Sequence, residues 1–380
     1  DASRKSLYLP TAPEAPQSAQ GILRWVNDAV VGGEAGGSGL IFRGQVQRGA
    51  QATDRTLQMF YKVANGTLKF DPQWPAIEEL DGVVVIDNGA VDITASAGSS
   101  LGINFNSSVA SVRASPEGGS WLNVTGNGRG SAQQGLRYLQ ETPVTQGIGQ
   151  YLSTWQAEGD TDFSLALNIP LYVDNARPQV DLAFALAGNR IVMPEFDLDV
   201  SDLSGRLVYS SREGLQSQDM TASLFDNSVD VEIRADGLAG EPAGARVIVT
   251  GEVGVQALAG WPGMPALVSS VLGEAQGSSA YRAEVQLPVD GDTSSGNAVL
   301  HPRLRITSDL QGIAFDLPAP FAKAADDTRA LALTLDFIPL APALSLSLQD
   351  VMQMNLTLRD DSIYNGLVYF GGTADGLRVR

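Results

Sequence analysis

Apolar and small polar residues alternate with a period of two along most of the chain, the pattern of β-strands that turn one face to an apolar environment and the other to water. It is clearest at Leu331, Leu333, Leu335 and Phe337, at Leu344, Leu346 and Leu348 with serines between them, and at Met352, Met354, Leu356 and Leu358. Phe163, Leu165, Leu167 and Ile169 repeat it, as do Leu182, Phe184 and Leu186, then Tyr281, Val285 and Leu287, then Leu304 and Ile306. The pattern predicts antiparallel sheet with one dry and one wet face. Two stretches break it with helical character: 131–155, interrupted at Pro143, and 255–272, interrupted near Pro262 and Pro265. Residues 1–20, rich in Pro, Ala and Gln, read as an irregular leader.

Short phrases recur in a fixed order. Val-Thr-Gly stands at 124–126 and 249–251, each time ahead of a helical stretch. After each stretch a segment runs from Gly to Pro, at 159–170 and 277–288. Leu-x-Gly follows at 80–82, 203–205 and 310–312. The order predicts a duplicated unit of helix and about five strands: unit 1 at 21–123 with a shortened helix (22–30), unit 2 at 124–248 and unit 3 at 249–380. Five strands at ~4.8 Å each advance a sheet by ~24 Å, so three units make a rod on the order of 70 Å long.

Composition agrees with an all-β, elongated chain: 380 residues with 41 Gly and 19 Pro, and only 18% charged residues. A net charge of −18 argues against nucleic acid as a partner and gives no electrostatic grip on an anionic bilayer. The absence of Cys excludes disulfides and thiolate metal sites. No run approaches the ~18 apolar residues of a membrane span, so any signal or anchor is expected outside this sequence.

Candidate chemistry is sparse. His301 is the single histidine and lies at a strand entry before Pro302, which leaves a Ser-His-Asp triad or a histidine metal site little to work with. The carboxylates at Glu78, Glu79 and Asp81, at Asp197, Asp199 and Asp202, and at Asp326 and Asp327 sit beside turns or alternate with apolar residues, as a solvated face does. The glycine-rich runs 32–39 and 126–130 lack the Lys-Ser/Thr of a phosphate loop and read as flexible connections. No catalytic residue, metal or cofactor is assigned.

An apolar sheet face must be covered by a second sheet, helices, a partner or a ligand. Two short helical stretches are too few to cover so many strands. From alternation alone three readings stay open: an uncovered trough, a closed structural or adhesive β-array, and a carbohydrate-active enzyme on a β scaffold.

The ordered signatures Tyr8–Pro10, Trp74-Pro75 ahead of Leu80-Asp81-Gly82, and Ser308-Asp309-Leu310-Gln311-Gly312 ahead of Leu317-Pro318-Ala319-Pro320 resemble the periplasmic region of the AsmA-like family, from about Leu7 to the C-terminus. The resemblance implies a strongly curved sheet whose one-sided hydrophobic groove carries phospholipid acyl chains across the periplasm of a Gram-negative bacterium, supporting the outer-membrane barrier. It further implies an inner-membrane anchor in the full protein and no enzymatic activity. The residues expected to line the groove are those of the alternating strands: Phe163, Leu165, Leu167, Leu182, Phe184, Leu186, Val285, Leu287, Leu304, Ile306, Leu331, Leu333, Leu335, Phe337, Leu344, Leu346, Leu348, Leu356 and Leu358.

Overall fold

The computed structural model describes residues 27–45, 55–115, 119–142, 152–171, 176–236, 244–264, 266–288, 301–359 and 362–371. Strands dominate them: β1 (Val30–Gly44), β2 (Arg55–Leu68), β3 (Ile77–Asp87), β4 (Ala90–Ser100), β5 (Ile103–Ala114), β6 (Ser120–Ser131), β7 (Gln156–Glu158), β8 (Asp160–Leu171), β9 (Gln179–Met193) and β10 (Leu198–Ser210). They continue with β11 (Gly214–Leu224), β12 (Asn227–Asp236), β13 (Gly244–Gly254), β14 (Ala275–Leu287), β15 (Arg303–Ser308), β16 (Ile313–Phe315), β17 (Leu331–Asp336), β18 (Ala343–Leu348), β19 (Met352–Arg359) and β20 (Ser362–Phe370). Among the described residues, short helices interrupt them at α1 (Ala132–Glu141), α2 (Val255–Ala259) and α3 (Ala266–Gly273). The protein is thus mainly β and antiparallel, as the alternation predicts.

The chain forms two compact units, one from residues 1–145, 158–185 and 208–212, the other from 146–157, 186–207 and 213–380. In the first, β1 to β6 pair each with the next and β6 pairs with β8. In the second, β11 to β15 pair in chain order, then β15 with β17 and onward to β20. Strand β16 takes the start of β14 instead. Nearly every strand meets its sequence neighbour, so a strand needs only a short turn to find its partner.

The Leu-x-Gly phrases mark bends within β3 and β10 and the turn between β15 and β16. Glu79 (φ 53°), Asp202 (φ 52°) and Leu310 (φ 53°) adopt the left-handed region at or just before the motif. The pairing of β3 with β4 shifts register between Glu78, Asp81 and Gly82, the signature of a β-bulge. Each motif glycine lies where the neighbouring strand is too close for a side chain: an added Cβ would fall 2.5 Å from the Thr94 carbonyl oxygen at Gly82 and 2.6 Å from that of Asp219 at Gly205. Bulges bend and twist a strand, and here they recur within the sheet rather than at its ends.

The glycine-rich runs correct an expectation. Neither is a connection: 32–39 lies within β1 and 126–130 within β6, which is paired on both sides. The reason is close approach: a Cβ on Gly128 would sit 2.2 Å from the Asn104 carbonyl oxygen and 2.4 Å from the Phe163 ring, and one on Gly39 would sit 2.2 Å from the Phe60 ring.

Helix α1 begins at a capping box, with the Ser131 hydroxyl accepting from the Gln134 N–H at 3.2 Å and the Gln134 side-chain oxygen accepting from the Ser131 N–H at 2.8 Å. It buries Leu136 and Leu139 and sets Gly135 against Phe184 and Thr161. It stops at Glu141, and the expected continuation through 143–151 lies outside the described residues. The second helical stretch divides into α2 and α3 around its prolines as expected, and Val255 and Leu272 pack with Ala275, Leu310, Ile313, Phe315, Leu331 and Leu348. The leader 1–20 lies outside the described residues, as does most of the helix expected at 22–30, of which the described end, 27–29, is helical and leads into β1.

Candidate functional site

Residues directly opposed across antiparallel strands project to the same side of a sheet, so the pairing register defines rows of side chains running across the strands. In the second unit one row is Ile233, Val247, Val285, Leu304, Leu335, Leu344 and Leu356, from β12 to β19. Its neighbour is Val231, Val249, Ala283, Ile306, Leu333, Leu346, Met354 and Val368, reaching β20. At their outer end Leu331, Leu348, Met352 and Phe370 begin a third. No polar residue interrupts either of the first two rows.

The other face is mostly polar over the same strands, although Ile248, opposite Glu232 and Glu284, is buried on it. Arg305 opposes Glu284 and Thr334, Thr334 opposes Ser345, and Ser345 opposes Asn355. Arg246 bridges Asp236 at 3.0 Å and Glu284 at 2.9 Å, and Arg303 pairs with Asp336. On β9 and β10 the Arg190 guanidinium, 2.8 Å from Asp199, holds that carboxyl below its usual range by hydrogen bonding.

The first unit repeats the apolar rows, while its opposite face carries the exposed Phe60, Val83, Val85 and Val109 among its polar residues. Met59, Ile86, Val91, Val112, Leu122 and Ile169 form one row from β2 to β8, with Tyr61, Val84, Ile93, Ala110, Val124 and Leu167 beside it. Here the row is covered: Val112 is 1% exposed and Leu122 3%. The side chains packed around them belong to the same apolar rows, as when a sheet bends tightly toward its apolar face.

The second unit shows the same sense of curl at an aromatic contact. Phe337 follows Leu335 by two positions and therefore stands on the apolar face. Its ring lies 6.4 Å from that of Phe196, in the turn before β10. From β10 to β17 there are six strand steps, a separation of ~29 Å in a flat sheet. Two phenylalanine side chains cannot span that distance, so the sheet curls and its apolar face is the concave one.

The expected lining residues fall into two groups. Phe163, Leu167, Leu182 and Phe184 are buried, the first of them edge-on to Phe105. Leu165, Leu186, Val285, Leu287, Leu304, Ile306, Leu331, Leu333, Leu335, Phe337, Leu344, Leu346, Leu348, Leu356 and Leu358 are half-buried. Among the latter, Val285, Leu304, Leu335, Leu344 and Leu356 share one row, and Ile306, Leu333 and Leu346 the next. Val247, Val249, Ile86 and Val91 belong to the rows although no period-two alternation marks them in the sequence. They sit in the aliphatic runs Val247–Val249 and Val83–Ile86 or beside a turn, where alternation is masked by apolar neighbours on the opposite face.

Chemistry that could act on a substrate is thin. Among the described residues no three His, Asp or Glu side chains gather as metal ligands. His301 Nε2 lies 3.8 Å from Asp336, a carboxylate already engaged by Arg303. Lys323 is 5% exposed, its Nζ donates to the carbonyls of Ile313 at 2.8 Å and Ala324 at 3.0 Å, and burial lowers its pKa.

Comparison with known proteins bears on this face. The family model described as YhdP protein matches residues 1–379. The intermembrane phospholipid transporter YhdP of Escherichia coli (strain K12) is 23% identical over 328 residues, which cover 84% of this chain. The match takes in 24% of that relative, so the chain spans about a quarter of its length. No solved structure matches the chain.

Proposed function

Because this chain belongs to the YhdP family, we propose that its curled sheet is a segment of a lipid conduit, in which phospholipid acyl chains lie along the concave apolar rows on their way between the inner and outer membranes. The observation that carries this reading is the pair of uninterrupted rows from β12 outward, half-buried rather than closed. Seven strand steps from β12 to β20 make a path of roughly 34 Å.

The energetics favour such a surface. Each methylene removed from water contributes ~0.8 kcal/mol, so an acyl chain of ~16 carbons exposed in the periplasm costs more than ten kcal/mol. A row of Leu, Val, Ile and Met replaces that environment at every step without the fixed polar contacts that would hold the lipid in one place. The net charge of −18 is compatible, since the acyl chains rather than the head group make the contacts. The role is carriage, not catalysis, and it belongs in the periplasm with an inner-membrane anchor in the longer protein. Among the described residues no helix is long and apolar enough to cross a membrane.

A closed structural array has one observation in its favour, the near-complete burial of Val112 and Leu122 in the first unit. Extraction of the purified chain with organic solvent, followed by mass spectrometry, separates the two. A conduit yields co-purifying phospholipid, displaceable by a competing detergent; a closed array yields none, and that result would end the proposal.

A further inference from the structure

The second unit carries a pair of rings across its own concave face. Phe196 stands in the turn Pro194–Phe196, followed by Asp197 in the left-handed region at φ 47°. That turn is fastened from a third element: the Trp261 indole N–H donates to the carbonyls of Phe196 and Asp197, both at 3.0 Å. The Trp261 ring is itself seated edge-on against Phe225 at 5.8 Å. Phe337 meets Phe196 from the far side of the curl, at the end of β17, where its N–H donates to the Pro302 carbonyl at 2.9 Å. Beyond it the chain is open to solvent, with Leu340 90% exposed.

We infer that Phe196 and Phe337 form a crossbar over the acyl path, under which hydrocarbon slides while a phospholipid head group is stopped until the rings part. The inference rests on the lipid-conduit reading. Ring edges and faces offer methylenes contacts as good as those they offer each other, so an acyl chain exchanges one set for the other at little cost. The two rings themselves offer a phosphate head group no hydrogen-bond donor, and it would lose its water in the gap between them. The bar therefore sorts by polarity. The Phe196 side is pinned through Trp261, so opening falls to Phe337 and the exposed segment after it.

The chain contains no Cys, which makes a paired Phe196→Cys, Phe337→Cys variant a clean target for a short bis-maleimide linker. Two probes are followed as they exchange between the purified chain and vesicles: a pyrene-labelled phosphatidylcholine and a pyrene-labelled alkane with no head group. Circular dichroism checks that each variant is folded. Linking the two cysteines should slow phosphatidylcholine exchange by about tenfold or more, and the paired Phe196→Ala, Phe337→Ala variant should speed it by about tenfold, the size of effect expected from one aromatic pair. Alkane exchange should stay within about twofold in both, since its contacts are interchangeable with those of the rings. Phosphatidylcholine rates that neither variant moves, or equal changes for both probes, would overturn the crossbar and leave the conduit standing. A parent chain that takes up neither probe would remove the conduit, and the crossbar with it.

Discussion

Replacing Leu333 by Asp tests whether the apolar rows face an open path. Leu333 and Leu346 oppose each other on β17 and β18, and both are half-buried. Full burial of a leucine contributes roughly 1.5–3 kcal/mol, so a half-buried one loses about 1–1.5 kcal/mol on becoming polar. The carboxylate at an open face keeps its water and avoids the several kcal/mol that an unpaired buried charge costs. Val112, 1% exposed and opposite Leu122, is the closed counterpart, and there Val112→Asp incurs the whole penalty. Urea unfolding should therefore show Leu333→Asp and Leu346→Asp as folded, cooperative proteins weakened by about 1–2 kcal/mol, with Val112→Asp unfolded or aggregated. Lipid recovered by mass spectrometry should fall sharply in the two leucine variants, because a passing chain must strip water from the new carboxylate. Thr334→Asp, one residue along on the polar face and opposite Arg305, should keep both stability and lipid. Collapse of Leu333→Asp to the extent of Val112→Asp, or undiminished lipid in a folded Leu333→Asp, refutes the reasoning.

Gly128→Ala should cost about 1–3 kcal/mol in urea, because its Cβ would press on the Asn104 carbonyl and the Phe163 ring, whereas Gly36→Ala, with nothing within 4 Å, should be near neutral. The Tyr281 hydroxyl is buried without a hydrogen-bond partner among the described residues, so Tyr281→Phe should raise stability by about 1 kcal/mol in the same assay. Burial raises the pKa of Tyr209 and Tyr281 above the usual 10.0, so the unfolded chain loses those protons first. Their contribution to stability is complete below pH 10 and falls as pH rises through the folded-state values, and Tyr281→Phe should lessen that alkaline loss in a pH series of urea midpoints. His301→Ala should leave lipid loading unchanged as measured by mass spectrometry, since its acidic neighbour Asp336 retains Arg303.

Period-two alternation alone determined that these strands exist, which side chains share a face, and where most of the half-buried residues of β14 to β19 fall. The reason is geometric: successive side chains on a strand point to opposite sides, whatever the strand packs against. The Leu-x-Gly phrases were legible as recurring marks, but their meaning as bulges came only with the neighbouring strands, whose carbonyls lie within 2.6 Å of where a Cβ would stand at Gly82 and Gly205. The glycine runs resemble flexible connections in sequence for the same reason, because what excludes a side chain at Gly128 includes Phe163, 35 residues further along the chain. Which alternating residues are buried and which stand open was also beyond the sequence: Phe163 and Leu333 sit in equally regular patterns, yet one lies under Phe105 and the other on a half-exposed row. Curvature decides that difference, and curvature is a sum of small bends over many strands. In the second unit the contact of Phe196 with Phe337, six strand steps apart, reveals that the apolar side is the hollow one.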